Sequence, residues 1–82
     1  PMAPIGYWSL RSETIDARGL KCPLPELKME KRLDSMATGE TLTVLATDPM
    51  ARIDIALYCR QHGHACSLET SGETLSFTIV RG

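Results

Sequence analysis

The residues best suited to chemistry are a cysteine and two prolines in the run Cys22-Pro23-Leu24-Pro25. Proline fits the first turn of a helix, because that turn does not need its backbone N–H and its fixed φ is already helical. The spacing therefore predicts a helix that begins at or next to Cys22. Free backbone N–H groups and the positive end of the helix dipole would then favour the Cys22 thiolate, the form that attacks sulfur.

Two cations precede this cysteine closely in the sequence. Arg18 and Lys21 would each favour the thiolate over the thiol of Cys22. The alternative is an inert packing cysteine, since free cysteine is among the most buried residue types. We favour the reactive thiol, with Pro23 and Pro25 as a rigid frame that orients it before a partner docks.

Composition and charge narrow the class of protein. The sequence has 82 residues, a hydrophobic content of 43% and a net charge of −1, which fits one folded domain. This charge balance favours neither nucleic acid nor an anionic membrane as a partner. Since the sequence has no apolar run of membrane-spanning length and no secretory signal pattern, we expect a cytoplasmic protein.

The other two cysteines, Cys59 and Cys66, are predicted to be free thiols in the core. They and Cys22 lack the short paired spacings of a zinc site, and no secretory signal supports a disulfide framework. A site made of His62, His64 and Cys66 can be drawn but needs a fourth ligand, so we expect no metal and no other cofactor. The sequence does not say whether Cys59 or Cys66 can reach Cys22 as a resolving thiol.

Hydrophobic periodicity predicts the element order β-α-β-α-β-β. Strands are predicted at 14–17, 40–47, 64–69 and 74–81, and helices at 22–37 and 49–62. In the last strand Leu75, Phe77 and Ile79 share one face, which indicates a sheet with one buried side. Right-handed crossovers then place both helices on that side. The prediction is an α+β fold, a two-layer α/β sandwich with a four-stranded mixed sheet.

Each predicted helix has apolar residues outside its core stripe. The core stripe of the first helix is Met29, Leu33, Met36 and Ala37, and that of the second is Ile55, Tyr58, Cys59 and His62. Leu24 and Leu27 lie opposite the first stripe, where they either pack against the loop or form an apolar docking patch beside Cys22. The remaining apolar residues of the second helix are expected in the core or at a dimer contact: Met50, Ile53 and Leu57.

The ends of the second helix and of the domain follow from local signals. Asp48 before Pro49 is typical of a helix N-cap, and Gly63 ends the helix, with His62 and His64 as C-terminal capping residues. Residues 1–12 contain two prolines and a glycine near their start, so we interpret them as a flexible or artificial tail. An extra edge strand anchored by Tyr7 and Trp8 is the alternative. Residues 13–82 form the single domain.

Several short motifs follow one another in a fixed order across about residues 13–82. They are Asp16-Ala17-Arg18-Gly19-Leu20-Lys21-Cys22-Pro23-Leu24-Pro25, Gly39-Glu40, Asp48-Pro49, Asp54-Ile55 and Gly63-His64. Together they resemble the TusA/SirA-like family of small sulfur carriers, marked by a CPxP motif. The resemblance implies that Arg18, Gly19 and Lys21 belong to the thiol motif, that Asp54 lies near the thiol, and that the last strand lies between the second and the third.

The resemblance also implies a function. Cys22 would accept a persulfide from a donor protein, either a cysteine desulfurase or a rhodanese-like protein, and relay it to an acceptor protein. The pathway would be one such as tRNA thiolation or sulfur oxidation, and the cargo could be selenium instead of sulfur. The candidate partner-docking residues are Leu24, Leu27, Asp48 and Asp54. A monomer is expected, with a weak dimer left open, and the sequence does not identify the donor, the acceptor or the pathway.

Two other functions stay open at this stage. One is a non-catalytic regulatory module that binds protein or RNA on the wet face of the sheet. Aromatic residues make up only 5% of the sequence, which counts against RNA binding. The other is a thiol redox sensor, which would need a second cysteine close to Cys22.

Overall fold

A computed structural model describes residues 12–82 as a four-stranded sheet and two helices. In chain order the elements are β1 (Ser12–Ala17), α1 (Leu24–Asp34), β2 (Thr41–Ala46), α2 (Ala51–His62), β3 (Ala65–Ser71) and β4 (Thr74–Val80). The strand order is β1-β2-β4-β3, with β1 parallel to β2 and both other pairs antiparallel. The predicted α+β fold, the mixed sheet and the place of the last strand are confirmed.

The core lies between the two helices and one face of the sheet. Val44 and Phe77 are opposite each other on β2 and β4, and both are buried. Their neighbours along each strand alternate between buried and partly exposed, which is the pattern of a sheet covered on one side. The helices add Met29, Leu33 and Ile55, each no more than 1% exposed. Each helix therefore contributes one stripe to the core and leaves its other side uncovered within residues 12–82.

The first helix is shorter than the predicted span 22–37. Pro23 is the N-cap of α1, so Cys22 lies next to the N-cap, as predicted. The helix ends at Asp34 instead of Ala37, and Met36 reaches the core from the turn that follows. Ala37 is exposed and does not extend the stripe, because the helical period stops before it.

The second helix begins two residues later than predicted. Asp48 is not its N-cap; Met50 holds that position. Asp48 instead closes the turn that precedes the helix, because the Asp48 Oδ1 accepts a hydrogen bond from the Met50 N–H at 3.0 Å. The helix ends at Gly63 as predicted, where a φ of 74° requires the left-handed conformation that glycine adopts most readily.

The two histidines around Gly63 have different roles. The Nδ1 of His62 lies 3.0 Å from the Tyr58 carbonyl of the last turn of α2, which confirms its C-terminal capping role. His64 caps the helix through its backbone, because its N–H donates to the Cys59 carbonyl of the last turn at 2.8 Å. Its Nδ1 accepts the Gly82 N–H at 2.9 Å, because the chain has already turned into β3 and lies beside the C-terminal residue.

Five large apolar side chains on the helices stay exposed. Leu24 and Leu27 are 48% and 51% exposed, on the side of α1 opposite the core, as their helical positions predict. The core prediction for the three apolar residues of α2 is wrong, since their exposures are 49%, 60% and 47% for Met50, Ile53 and Leu57. Only one stripe of α2 rests on the sheet. A dimer contact through them stays a prediction.

The edge strand β3 also departs from the sequence prediction. It runs from Ala65 to Ser71 rather than over 64–69, and Gly72 and Glu73 form the hairpin turn. Cys66 is exposed rather than in the core. The reason is its place on the outermost strand, where helical cover is thin.

Strand β1 begins at Ser12, which pairs with Thr41 in the sheet. The division into a tail of residues 1–12 and a domain of residues 13–82 stays a prediction. The rest of that tail, including Tyr7 and Trp8, lies outside the described residues. Neither helix between residues 12 and 82 is long and apolar enough to cross a membrane.

Truncation of a core residue tests this packing. We expect Leu33→Ala to lower the free energy of unfolding by about 2–5 kcal/mol, because it removes a fully buried side chain and leaves a cavity. Leu27→Ala is the matched control on the exposed side of the same helix and should change stability by less than about 0.5 kcal/mol. Denaturant unfolding followed by circular dichroism measures both. Equal losses would contradict the packing described.

Candidate functional site

Cys22 lies in the loop between β1 and α1. Gly19 turns this loop with a φ of 84°, and its N–H donates a hydrogen bond to Thr47 Oγ1 at 2.9 Å. The Cys22 N–H donates to Asp48 Oδ2 at 2.6 Å. Thr47 and Asp48 directly follow β2, which is parallel to β1, so both loops leave the same edge of the sheet. The tie between these two loops fixes the position of the cysteine.

Asp48 joins the Cys22 loop to the start of α2. One carboxylate oxygen accepts the Cys22 N–H and the other accepts the Met50 N–H. These two hydrogen bonds, the one from Cys22 first, lower the pKa of Asp48, and the charge of Lys21 adds a smaller effect in the same direction. Asp48 is therefore a positioning residue that stays ionised.

The Cys22 thiol points to a second acid, Asp54. The Cys22 Sγ donates a hydrogen bond to Asp54 Oδ2, and Asp54 lies in the first turn of α2. The contact that the family resemblance implied for Asp54 is thus present. The backbone of Cys22 and its thiol are held by two different carboxylates on one short segment of chain.

These acids raise the pKa of the Cys22 thiol to about 11. The hydrogen bond to Asp54 is the largest cause, followed by loss of solvation and by the negative charges of Asp54, Asp48 and Glu26. The predicted lowering of this pKa by the helix start and nearby cations is wrong. The charges nearest the sulfur are negative, so they favour the neutral thiol.

The two predicted cations do not act on the thiol in the expected way. Arg18 donates from Nε and Nη2 to the carboxylate of Asp16, each at 2.8 Å. This pair lowers the pKa of Asp16 to about 2, chiefly through the side-chain hydrogen bond. The positive charge of Lys21 acts on Asp48, whose pKa it lowers, and is not among the causes of the pKa shift at Cys22. The interpretation of Arg18 and Lys21 as thiolate stabilisers is therefore corrected: Arg18 is occupied by Asp16.

The prolines on either side of Leu24 anchor the loop to the helix. Pro25 is buried in the first turn of α1, and Pro23 is the exposed N-cap, joined to Cys22 by a cis peptide bond. The Leu24 N–H donates to the Lys21 carbonyl at 2.8 Å. Pro25 thus anchors the motif in the core, while Cys22, Pro23 and Leu24 are exposed to solvent.

Four exposed apolar side chains lie within five positions of Cys22 or Asp54 in the chain, and we call them the apolar rim. Leu24 follows Cys22 by two residues, and Leu27 lies one turn further along α1. Met50, the N-cap of α2, and Leu57 are four residues before and three after Asp54, so they share its side of the helix. All four are about half exposed. A depression of about 360 Å³ beside the Cys22 loop is lined by Gly19, Leu20, Lys21, Thr47, Asp48 and Pro49.

Cys59 and Cys66 lie near each other, in a groove that Cys22 does not line. Cys59 is buried in α2 and Cys66 is exposed on β3, and both line one groove. Between residues 12 and 82, no group of three His, Cys, Asp or Glu side chains is arranged to hold a metal ion.

Two residues of the site were missed by the sequence analysis. Thr47 was placed only at the end of a strand, and nothing in its neighbours signals the bond to Gly19. Glu26 acts on the thiol through its charge, and its place four residues after Cys22 could have suggested this. The pKa of Glu26 is raised by burial and by the charges of Asp54 and Glu30, which shows how crowded with acids this region is.

Known proteins resemble this chain over nearly its whole length. Residues 13–81 match a family model described as Sulfurtransferase TusA. A proposed sulfur carrier protein of Neisseria meningitidis serogroup A, NMA0882, is 49% identical over 71 residues, covering 87% of this chain and 95% of the relative. The sulfur carrier protein TusA of Pseudomonas entomophila is 42% identical over 55 residues, covering 67% and 69%. The crystal structure of the SirA-like protein DSY4693 from Desulfitobacterium hafniense has a TM-score of 0.78 and 29% identity, covering 85% and 97%.

Removal of the Asp54 charge tests the electrostatics of the site. In Asp54→Asn the Cys22 pKa should fall from about 11 toward its ordinary value, because the largest cause of the shift is lost. Alkylation of Cys22 by neutral iodoacetamide at pH 8 should then become about tenfold or more faster, since only the thiolate reacts. Peptide mass spectrometry of samples alkylated over a pH series measures the titration midpoint of the Cys22 thiol separately from those of the other two cysteines.

The matched control is Asp34→Asn at the other end of α1. Asp34 is exposed and has no part in the shift at Cys22, so the midpoint should stay unchanged. If the midpoint of Cys22 is the same in wild type and Asp54→Asn, the carboxylate does not hold the thiol proton.

Proposed function

The chain belongs to the TusA sulfurtransferase family, and from this premise we propose that Cys22 is the residue that carries sulfur between a donor and an acceptor protein. The observation that supports the assignment is the position of its thiol. It is exposed, it lies in an anchored loop, and it bonds to a carboxylate able to accept its proton. Neither Cys59 nor Cys66 combines these features.

The proposed reaction is an exchange between a persulfide and a thiol. The Cys22 sulfur attacks the outer sulfur of a persulfide on the donor protein. A sulfur–sulfur bond forms on Cys22 as the one on the donor breaks, so the donor regains a thiol and Cys22 becomes a persulfide. The outer sulfur atom moves from the donor cysteine to Cys22. As in thiol–disulfide exchange, this step needs no external oxidant or reductant.

Asp54 has the geometry of a proton acceptor in this exchange. Its carboxylate already accepts the thiol hydrogen bond, which is the first requirement for a general base. A thiol with a raised pKa is mostly protonated at neutral pH, so the free carrier resists small electrophiles. We propose that Asp54 takes the proton as the sulfur attacks, and that the proton then reaches the departing thiolate of the donor.

The apolar rim supplies a surface on which donor and acceptor proteins can dock. The new outer sulfur lies about 2 Å beyond the Cys22 Sγ, so it must meet the acceptor at close range. Half-exposed leucines beside the thiol can be covered by a partner with a gain in hydrophobic energy. Among the candidate docking residues we assign this role to Leu24 and Leu27, while Asp48 and Asp54 act on the cysteine itself.

The finer features of the function rest on the family alone. A cysteine desulfurase or rhodanese-like protein as donor, and tRNA thiolation or sulfur oxidation as pathway, are proposals. The cytoplasmic location and the monomeric state stay predictions. A regulatory module that binds RNA has no specific observation in its favour.

Persulfide loading of Cys22 tests the assignment. After incubation with a cysteine desulfurase and cysteine, the intact mass should rise by about 32 Da, one sulfur atom. Cys22→Ser should abolish the gain, because it removes the accepting sulfur. Cys66→Ser, which alters the other exposed thiol, is the control and should load normally. An unchanged wild-type mass, or sulfur located on Cys59, would show that Cys22 is not the carrier.

A second experiment separates docking from reactivity. Leu24→Ala should lower the second-order rate of sulfur uptake from the donor protein by about tenfold, because it removes exposed apolar surface next to the thiol. Its alkylation by iodoacetamide should stay at the wild-type rate. Val80→Ala, which trims an exposed apolar side chain on β4, should leave both rates unchanged. A loss of both rates in Leu24→Ala would indicate a disturbed thiol rather than a docking contact.

A further inference from the structure

Cys59 and Cys66 form a second thiol pair that the proposed carrier chemistry does not use. Cys59 lies on α2, five residues beyond Asp54, and its side chain is 1% exposed. Cys66 is exposed on the edge strand β3. Both line a groove of about 320 Å³ between α2 and the sheet, with Leu68 and Phe77 as its apolar floor. The groove thus joins a sheltered thiol to an accessible one.

The two thiols line the same groove and are close enough for each to affect the pKa of the other. Burial raises the pKa of both groups, and the neighbouring Cys59 thiol acts to lower that of Cys66. Cys66 is the member of the pair that meets solvent, whereas Cys59 is buried. This division between an exposed attacking thiol and a sheltered resolving thiol is what a redox-active pair needs.

The charge around the groove is the reverse of that around Cys22. Arg52 and Arg60 lie two turns apart on one side of α2 and both line the groove. Within residues 12–82 no ion pair occupies either guanidinium. The charges that act on Cys22 belong to three carboxylates. An anionic reagent is thus attracted to the groove and repelled from the carrier thiol.

We propose that Cys59 and Cys66 are a second modification site, which exchanges with an anionic peptide disulfide of the glutathione class and closes to a Cys59–Cys66 disulfide. Arg52 and Arg60 select the negative charge of the reagent. The apolar floor provides room beside Cys66 for the first adduct. The site lies outside the carrier centre and does not depend on the proposed function of Cys22.

The exchange balances in two steps. The Cys66 sulfur, after loss of its proton, attacks one sulfur of the reagent, whose disulfide bond breaks and releases one thiolate that takes up the proton. The Cys59 sulfur then attacks Cys66 in the mixed disulfide and expels the second peptide thiol, to which the Cys59 proton passes. The protein dithiol is oxidised by two electrons and the peptide disulfide is reduced to two thiols.

Mass spectrometry with glutathione disulfide tests both steps. In Cys22→Ser, which leaves only this pair, the product should have lost two hydrogens and retain no glutathionyl group. In Cys59→Ala the reaction should stop at a glutathionyl group on Cys66, because the resolving thiol is missing. In Cys66→Ser neither product should form. A lasting adduct on Cys66 with Cys59 present, or no reaction in Cys22→Ser, would overturn the proposal.

A matched pair of reagents tests the role of charge. Exchange with glutathione disulfide should slow by about tenfold in the Arg52→Gln, Arg60→Gln double variant, while exchange with neutral 2-hydroxyethyl disulfide should stay within about twofold of wild type. Equal changes with both reagents would overturn the charge selection. In wild type the anionic reagent should modify Cys66 before Cys22, and the reverse order would overturn the proposed site.

Discussion

The hydrogen bonds of Asp48 link the fold to its reactive thiol. Parallel pairing of β1 with β2 brings the ends of both strands to one edge of the sheet. One carboxylate there accepts an N–H from the β1–α1 loop and another from the turn before α2. The first fixes Cys22, and the second fixes the start of the helix that carries Asp54. Because both contacts use the same side chain, Asp48 joins the thiol-bearing loop to the helix that carries the proton acceptor.

The acidic surroundings of Cys22 give a different chemical picture from that of a permanently ionised cysteine. A thiolate stabilised in the free protein would react with any electrophile that reached it. In the proposed mechanism, a thiol held by Asp54 keeps its proton until a partner aligns a sulfur atom with it, and the Asp54 carboxylate then accepts that proton. Selectivity in this mechanism comes from docking on the apolar rim rather than from intrinsic reactivity. This suits a carrier whose unloaded thiol must not react with other electrophiles between partners.

The same small fold separates two kinds of thiol by charge. Helix α2 contributes an acid toward Cys22 in its first turn and two arginines toward the groove that contains Cys59 and Cys66. The sheet explains why only one member of the second pair is accessible. Cys59 belongs to the stripe of α2 that packs on the sheet, whereas Cys66 lies on an edge strand. An 82-residue chain can therefore expose two thiols in surroundings of opposite sign.

The element order, the one-sided sheet and the position of Cys22 next to a helix start can all be predicted from the sequence. These features follow from local patterns: period-two alternation in Leu75–Phe77–Ile79 and the backbone constraints of Pro23 and Pro25. The family resemblance added the strand order and the nearness of Asp54. The tertiary structure alone decided the sign of the pKa shift, because the carboxylates near the sulfur lie up to 32 positions away in the chain. It also decided which apolar faces of the helices stay open, since a helical wheel shows that a second stripe exists but not whether anything covers it.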